Sequence, residues 1–412
     1  MSVPDGGLLW RWVPRVWVVE AWIVAALWLW RGVGAAIGLP RVANLLDAQW
    51  DDAPATGPML TVVVPALNEE ANVAECLESL LRQDYESLRI VAVDDRSTDG
   101  TGAVMDGLAA HCPERLRVIH INELPAGWLG KTHAMAMAAR ESNRESTSES
   151  RSEYLLFTDA DIVFRVDALR RSMAYAVASR ADHLVTAPTL VLKRWDEAAL
   201  IGFFEVCAMW ASRPWKIADA KAKRDSVGVG AFNLMRREAY EQVGGFEALR
   251  MEIIEDVGMG RRVKRAGLRQ RVAFGKDLVR VYWAPGAMGV VEVLTKNMFA
   301  AFRFQILLLL GACSALAGFF VLPAVAVLAG VAWPELLLPG LIVVGSVAVT
   351  YRALARYSGI SAWYAVLSPF AAMLLAFALL RSMVKTVRQG GVLWRGTLYP
   401  LKELRKHVGP LW

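Results

Sequence analysis

The 412-residue chain carries 46 Lys+Arg against 40 Asp+Glu, a formal net charge of +6, with 55% hydrophobic residues and a mean hydropathy of +0.33. A disordered chain is poorer in apolar residues and a wholly soluble enzyme sits nearer about 45–50%, yet 21% charged residues exclude a chain that is membrane throughout. The composition therefore averages two unlike parts.

Arg11 and Arg15 precede an apolar stretch over about 16–39, broken by Glu20 and Arg31 and crowded with Trp17, Trp22, Trp28 and Trp30. It is longer than the apolar region of a cleaved signal peptide and has no small-residue cleavage site soon after it. It reads as an uncleaved anchor in which Glu20 is the awkward residue. From Thr61 to about Arg280, short β-branched runs alternate with amphipathic stretches. The pattern predicts strands at 62–64, 88–93, 116–121 and 154–157, and helices at 71–82, 102–111 and 131–140. Strict alternation predicts an α/β fold, a mostly parallel sheet with helices on both faces. The polar run 141–153, rich in Ser, Glu and Arg, cannot form a core and is expected to be a solvated loop. Beyond Phe304 the texture becomes apolar, with stretches at 306–333, 336–350 and 362–380 separated by Glu335 and a basic connection over 351–357. Each approaches the roughly 20 residues that a membrane crossing needs. Cys76, Cys112, Cys207 and Cys313 are scattered and form no Cys-x-x-Cys pair, which argues against a disulfide framework or a zinc site.

Acidic clusters follow the predicted strands. Pro65-Ala66-Leu67-Asn68-Glu69-Glu70 follows the first, at the carboxyl edge where open sheets bind ligands. Asp94-Asp95-Arg96-Ser97-Thr98-Asp99 follows the second; its carboxylates can accept from a nucleobase imide or ribose hydroxyls, and its small polar residues can equally be turn and cap chemistry. Asp159-Ala160-Asp161 leaves a strand with both carboxylates on one side, placed to hold a hard divalent cation against a diphosphate. Downstream lie Gly228-Val229-Gly230-Ala231-Phe232, whose glycines allow close backbone approach to a ligand, and Glu255-Asp256. None of the five histidines forms a zinc-type pair, so the expected metal is Mg2+ or Mn2+ on oxygen ligands.

Pro-x-x-Asn-Glu, Asp-Asp-x-Ser-x-Asp-x-Thr, Asp-Ala-Asp and Glu-Asp, in this order, resemble the family 2 glycosyltransferases over about residues 60–282. The resemblance implies a GT-A fold, Rossmann-like with a mostly parallel sheet, joined here to transmembrane helices. It also implies a nucleotide-diphosphate sugar donor, a divalent metal and inversion at the anomeric carbon. The anchor, the apolar C-terminal stretches and Trp394-Arg395-Gly396-Thr397-x-Tyr399 narrow the likeness to membrane-anchored lipid-modifying members of the hopanoid-associated and carotenoid type. By position, Pro65, Asn68, Glu69 and Asp95 correspond to nucleotide-binding residues, and Asp159 and Asp161 to the metal and diphosphate site. Lys131 matches a Gly-Lys before a helix, where it can meet phosphate or be a surface lysine; Gly230 and Ala231 fall at the sugar. Asp256 corresponds to the general base, with Glu255 orienting it or raising its pKa.

The Gln/Arg-x-x-Arg-Trp motif of processive polysaccharide synthases is missing from the stretch after Asp256, where 296–304 reads Lys-Asn-Met-Phe-Ala-Ala-Phe-Arg-Phe. Single-sugar transfer to a lipid is therefore favoured over a processive synthase, and a catalytically silent membrane scaffold is the reading from another class. The expected organisation is an N-terminal anchor and linker (1–57), a GT-A domain (58–295), an interfacial helix with C-terminal spans (296–382) and a basic tail (383–412). Trp283, Phe299, Phe302, Phe304 and Trp394 suit either an acceptor entrance at the membrane surface or interfacial anchoring. The expected setting is a multi-pass protein of the cell inner membrane with a cytoplasmic catalytic domain; a nucleic-acid partner is not expected. Three crossings after that domain would place the tail outside, whereas Arg381, Lys385, Arg388, Arg395, Lys402, Arg405 and Lys406 place it inside. A tail on the cytosolic side, with one apolar stretch re-entrant or interfacial, is the expected resolution.

Overall fold

The computed structural model describes residues 7–51, 53–144 and 152–409, which divide into two units, each discontinuous in sequence. One holds the N-terminal helix through Arg41, Lys193–Ala211 and Ala284–Val384; the other holds Val42–Leu192, Ser212–Trp283 and the chain from Lys385 onward.

The second unit is built on strands β1 (Ala43–Asn44), β2 (Leu60–Ala66), β3 (Leu88–Asp95), β4 (Leu116–Ile121), β5 (Tyr154–Phe157), β6 (Ile162–Phe164), β7 (His183–Thr186), β8 (Thr189–Leu190), β9 (Asn233–Arg236), β10 (Gln270–Phe274) and β11 (Val279–Val281), with β12 (Gly391–Trp394) and β13 (Thr397–Pro400) near its end. Eight of them form one sheet in the order β1-β10-β7-β9-β5-β2-β3-β4, parallel except that β9 runs antiparallel to both β5 and β7. The period of two sorts the side chains of each central strand between two cores. Val62, Val64, Ile90 and Ala92 pack with helices Val73–Leu81 and Ala168–Ala178, through Leu77, Leu80, Leu169 and Met173. Val63, Val91 and Val93 pack with helices Gly130–Arg144 and Glu255–Arg265, through Met135, Ala138, Met259 and Val263. Burial on both faces explains why β2 and β3 read as continuous apolar runs. Each such fully buried Val, Leu or Met contributes about 1.5–3 kcal/mol. The sheet brings the carboxyl ends of β2, β3 and β5 side by side.

The polar run expected to be loop from 141 begins instead as the last turn of helix Gly130–Arg144, where Arg117 pairs with Glu141 at 2.9 Å. Of the rest of that run, 145–151 lies outside the described residues, and Ser152 is buried rather than solvated, its carbonyl accepting from Arg237.

The first unit is helical. Among the described residues, four segments are long and apolar enough to cross a membrane: Arg15–Arg41, Ile306–Ala329, Pro334–Ser358 and Ala362–Gln389. Val19, Ile23, Leu307, Leu328, Phe370 and Phe377 are exposed on them, as lipid-facing residues are, and the chain is a multi-pass membrane protein. The third segment is not the short stretch ending at Thr350 that its apolar residues suggested. Helix Leu337–Ser358 runs unbroken through the basic connection, because Tyr351 and Leu354 turn inward while Arg352 and Arg356 alternate with them. Pro339 and Pro369 lie in the first turns of their helices, where no hydrogen bond is lost. Between Ile306–Leu316 and Leu322–Ala329 a π-turn at Ala317–Val321 displaces the regular ladder, and the Phe319 carbonyl accepts from Trp28 Nε1 at 2.9 Å. Arg31, the other break in the anchor, donates to the last carbonyls of helix Trp195–Ala211, at Met209 and Trp210, with its guanidinium over the Trp210 ring. Phe299 and Phe304 do not line an opening: both are buried, edge to face at 5.5 Å.

Candidate active site

The loop after β2 and the loop after β3 are zipped together. Asn68, with φ of 55°, accepts from the Thr98 amide at 2.8 Å, and its own N–H donates to Ser97 Oγ at 3.0 Å. The Glu69 amide donates to Thr101 Oγ1 at 2.8 Å, and Glu70 accepts from the Gly100 amide at 3.0 Å. Thr98 and Thr101 thus give the β3 loop a turn role as well as a place at the sheet edge. Pro65 is the last residue but one of β2, opposite Val93. Asp95, buried at the end of β3, holds Arg96 in a bidentate pair at 2.8 and 3.1 Å. Gly130 stands against that pair: a Cβ there would lie 2.2 Å from Asp95 Oδ2.

The next residue joins what the sequence separates. Lys131 Nζ lies 2.5 Å from Asp159 Oδ1 and 2.7 Å from Glu255 Oε1. Burial opposes its charge, but the Asp159 and Glu255 carboxylates outweigh burial and hold the ammonium above its ordinary range. Lys131 is therefore an ion-paired bridge between the turn after β5 and the start of helix Glu255–Arg265, not a surface lysine. Asp256 is raised from the usual carboxylate range to about 7, first by burial and then by Glu255 beside it, with Lys131 pulling the other way. Its Oδ1 accepts from the Val257 amide at 2.7 Å. Asp161 is raised to about 6, first by burial and then by Asp159 and Glu69.

The glycine segment divides into two tasks. Gly228 and Gly260 let the backbone of 227–228 touch the start of helix Glu255–Arg265, since a Cβ would fall 1.8 Å from the Asp256 carbonyl or 1.9 Å from that of Val227. Gly230 faces the site: its Cβ would lie 2.7 Å from Asp159 Oδ2 and 3.4 Å from Lys131 Nζ. Ala231 is buried, and its carbonyl accepts from Thr158 Oγ1 at 2.8 Å. His133, on the helix that starts at Gly130, meets Trp128 edge to face at 5.4 Å and is lowered below the usual imidazole range by burial.

Asp159 and Asp161 are an all-oxygen pair, and among the described residues no cluster of three His, Cys, Asp or Glu side chains offers a protein-only metal cage. A hard divalent cation at this pair draws its other ligands from phosphate and water, which is the habit of Mg2+. On those terms the residues fit, and the raised Asp161 carboxyl is the group a cation relieves.

Two residues at this edge escaped the sequence reading. Arg395, between β12 and β13, donates to the Leu67 carbonyl and to Glu69 Oε1 at 2.6 Å, and Tyr399 Oη accepts from the Gly130 amide at 3.4 Å. Only the Trp394-to-Tyr399 motif hinted at them, and it carried no indication of where the tail docks.

A parallel α/β sheet with one reversed strand, an acidic pair beyond β5 and a carboxylate at a following helix start define a nucleotide-diphospho-sugar transferase fold of GT-A type. Residues 61–244, a little under half of the chain, match the family described as Glycosyl transferase family 2. Two curated relatives, the 4,4'-diaponeurosporenoate glycosyltransferases of Staphylococcus aureus strains MRSA252 and USA300, are each 24% identical over 243 residues, 58% of this chain and 60% of theirs. The match thus spans about three fifths of the relatives' length. Among solved structures, a mannosyltransferase from Pyrobaculum calidifontis in complex with GDP-Man and Mn2+ is 20% identical, covers 90% of this chain and 99% of its own, and has a TM-score of 0.49. S. aureus TarS is 17% identical, covers 59% of this chain and 39% of its own, with a TM-score of 0.38.

Proposed function

We propose that this protein is an inverting glycosyltransferase that moves a single sugar from a nucleotide-diphosphate sugar to a membrane lipid of hopanoid, carotenoid or related type. The observation that carries the reading is the double pairing of Lys131, which draws the Asp159–Asp161 turn and the Glu255–Asp256 helix start into one site. The family match, the curated relatives named as 4,4'-diaponeurosporenoate glycosyltransferases, and four membrane-length helices support the class of donor and acceptor.

In this reading Glu69 and Asp95 flank the nucleoside, and Lys131 meets the diphosphate. Asp159 and Asp161 hold Mg2+ or Mn2+, which when bound offsets the negative charge of the departing diphosphate. Asp256 takes the proton of the acceptor hydroxyl as that oxygen bonds to the anomeric carbon, while the bond from that carbon to the diphosphate oxygen breaks on the opposite face. Its raised pKa suits the task, since a base poised near neutral pH binds the proton it removes. Gly230 leaves room beside Asp159 that any side chain would fill. The catalytic unit faces the cytoplasm, where nucleotide sugars are, on the inner membrane of the cell.

The test is to incubate membranes containing the protein with a panel of labelled nucleotide sugars and to weigh the extracted lipids by mass spectrometry. A lipid heavier by one sugar is expected. A ladder of sugars identifies a processive synthase instead, and no labelled product with any donor removes the reading.

A further inference from the structure

The C-terminal hairpin β12–β13 has four paired positions, from Gly391 opposite Pro400 to Trp394 opposite Thr397. A two-stranded hairpin of this length is marginal alone and needs a surface to pack on. Val392, Tyr399 and Leu404 of this segment are buried. At its tip Arg395 and Gly396 have φ of 47° and 80°, the left-handed pair of a tight hairpin turn. Glycine or asparagine is the ordinary occupant of the first of these positions, and a long side chain there is strained. The strained arginine therefore calls for a reason beyond closing the turn.

Its contacts give one. Arg395 binds Glu69 and the Leu67 carbonyl, immediately beyond β2, while Tyr399 of the same hairpin meets the amide that precedes Lys131. The hairpin thus touches both ends of the acidic edge at once. Asn68, Arg96 and Arg395, three residues held at positive φ, all converge on this edge.

We propose that the hairpin is a wall of the donor pocket and that Arg395 is a positioning residue for a nucleoside diphosphate, acting through Glu69, with Tyr399 steadying the turn that carries Lys131. The proposal rests on the donor reading given above. It assigns the C-terminal segment to substrate recognition as well as to the basic surface its composition suggests.

The experiment uses the full-length protein in detergent, with UDP and GDP as probes, and compares Arg395→Ala, Arg395→Lys, Tyr399→Phe and Glu69→Gln. Loss of a charge-assisted contact is expected to weaken nucleoside diphosphate binding about tenfold in Arg395→Ala, with a matching rise in donor KM and kcat nearly unchanged. Arg395→Lys restores part of the binding, because an ammonium keeps the charge but not the two-pronged geometry. Tyr399→Phe, which removes one oxygen and leaves the ring, is expected to weaken binding about threefold. Glu69→Gln combined with Arg395→Ala should cost less than the two single effects together, the mark of residues that act as a pair. If wild-type protein binds UDP or GDP and both Arg395→Ala and Tyr399→Phe bind it equally well, the hairpin is packing only and the proposal falls. If wild-type protein binds neither nucleotide, the donor reading falls first and takes this proposal with it.

Discussion

Lys131 Nζ sits between two carboxylates that lie 96 positions apart in the chain, 2.5 Å from Asp159 and 2.7 Å from Glu255. Removing the ammonium leaves both facing each other without a cation, and breaking a paired charge of this kind costs more than the pair itself contributes. Lys131→Met is expected to raise the donor KM at least about tenfold. A steady-state donor titration checks it, and an unchanged KM removes Lys131 from the donor site.

Asp256→Asn keeps the shape of the side chain and abolishes its basicity. Transfer should fall by about 10²–10⁴, the usual contribution of a general base, with nucleoside diphosphate binding within twofold of wild type. Isothermal titration with UDP or GDP beside the transfer assay separates the two effects.

The pH dependence follows from the sign of the Asp256 shift. A carboxyl raised to about 7 is protonated, and useless as a base, below that value, so kcat should climb as pH rises through about 7 and level off above it. Glu255 is the largest charge raising it, so Glu255→Gln should move this limb toward lower pH. A pH–rate profile in which the limb stays in place refutes that coupling.

Chelation should stop transfer, and Mg2+ or Mn2+ should restore it. Asp161→Ala should shift the restoring metal concentration upward by about tenfold or more, while Cys76→Ala on the neighbouring helix should not. Because Asp161 is raised to about 6, metal binding to wild type should weaken as pH falls through that value.

Two glycines separate folding from binding. A Cβ at Gly228 meets backbone at 1.8 Å, which only a shift of the helix start can relieve, so Gly228→Ala should destabilise the unit by about 1–3 kcal/mol. Gly230→Ala meets a carboxylate and an ammonium, which can move, so thermal stability should hold while the donor KM rises. Thermal unfolding and kinetics on both variants check the contrast.

Much of the α/β unit was legible. The strand 154–157 was placed at its true ends, because a run of Tyr-Leu-Leu-Phe between polar segments has one natural reading. The acidic clusters were legible as clusters, since each immediately follows a strand and parallel strands share an edge. Their mutual pairing was not. Lys131, Asp159 and Glu255 belong to three separate segments, and only the sheet order brings them together. Asn68 reads as a ligand, yet its side chain also holds the loop after β3, a duty that local hydrogen bonding hides from a motif, and Asp95, where turn chemistry was an open reading, pairs with Arg96. The helix that continues past Thr350 was cut short in the sequence because Arg352 and Arg356 look like loop charges, whereas long cationic side chains can leave an apolar helix at its end.

The contacts of Arg395 and Tyr399 also fix a question of parity. Hairpin and sheet share one unit, so the expected outcome is that both lie on one side of the membrane, with an even number of crossings between them. A reporter fused after Trp412 should report the same compartment as a cysteine label on the exposed Arg82→Cys, and opposite compartments overturn the docked tail.

The hairpin also sets an order of assembly. A ribosome delivers the chain from one end, and synthesis reaches the hairpin only after the four membrane-length helices that precede it. A chain cut before Gly391 therefore lacks the contacts of Arg395 and Tyr399 with Leu67, Glu69 and Gly130. The sheet edge at Glu69 and Gly130 is thus closed only in a chain that already carries those helices.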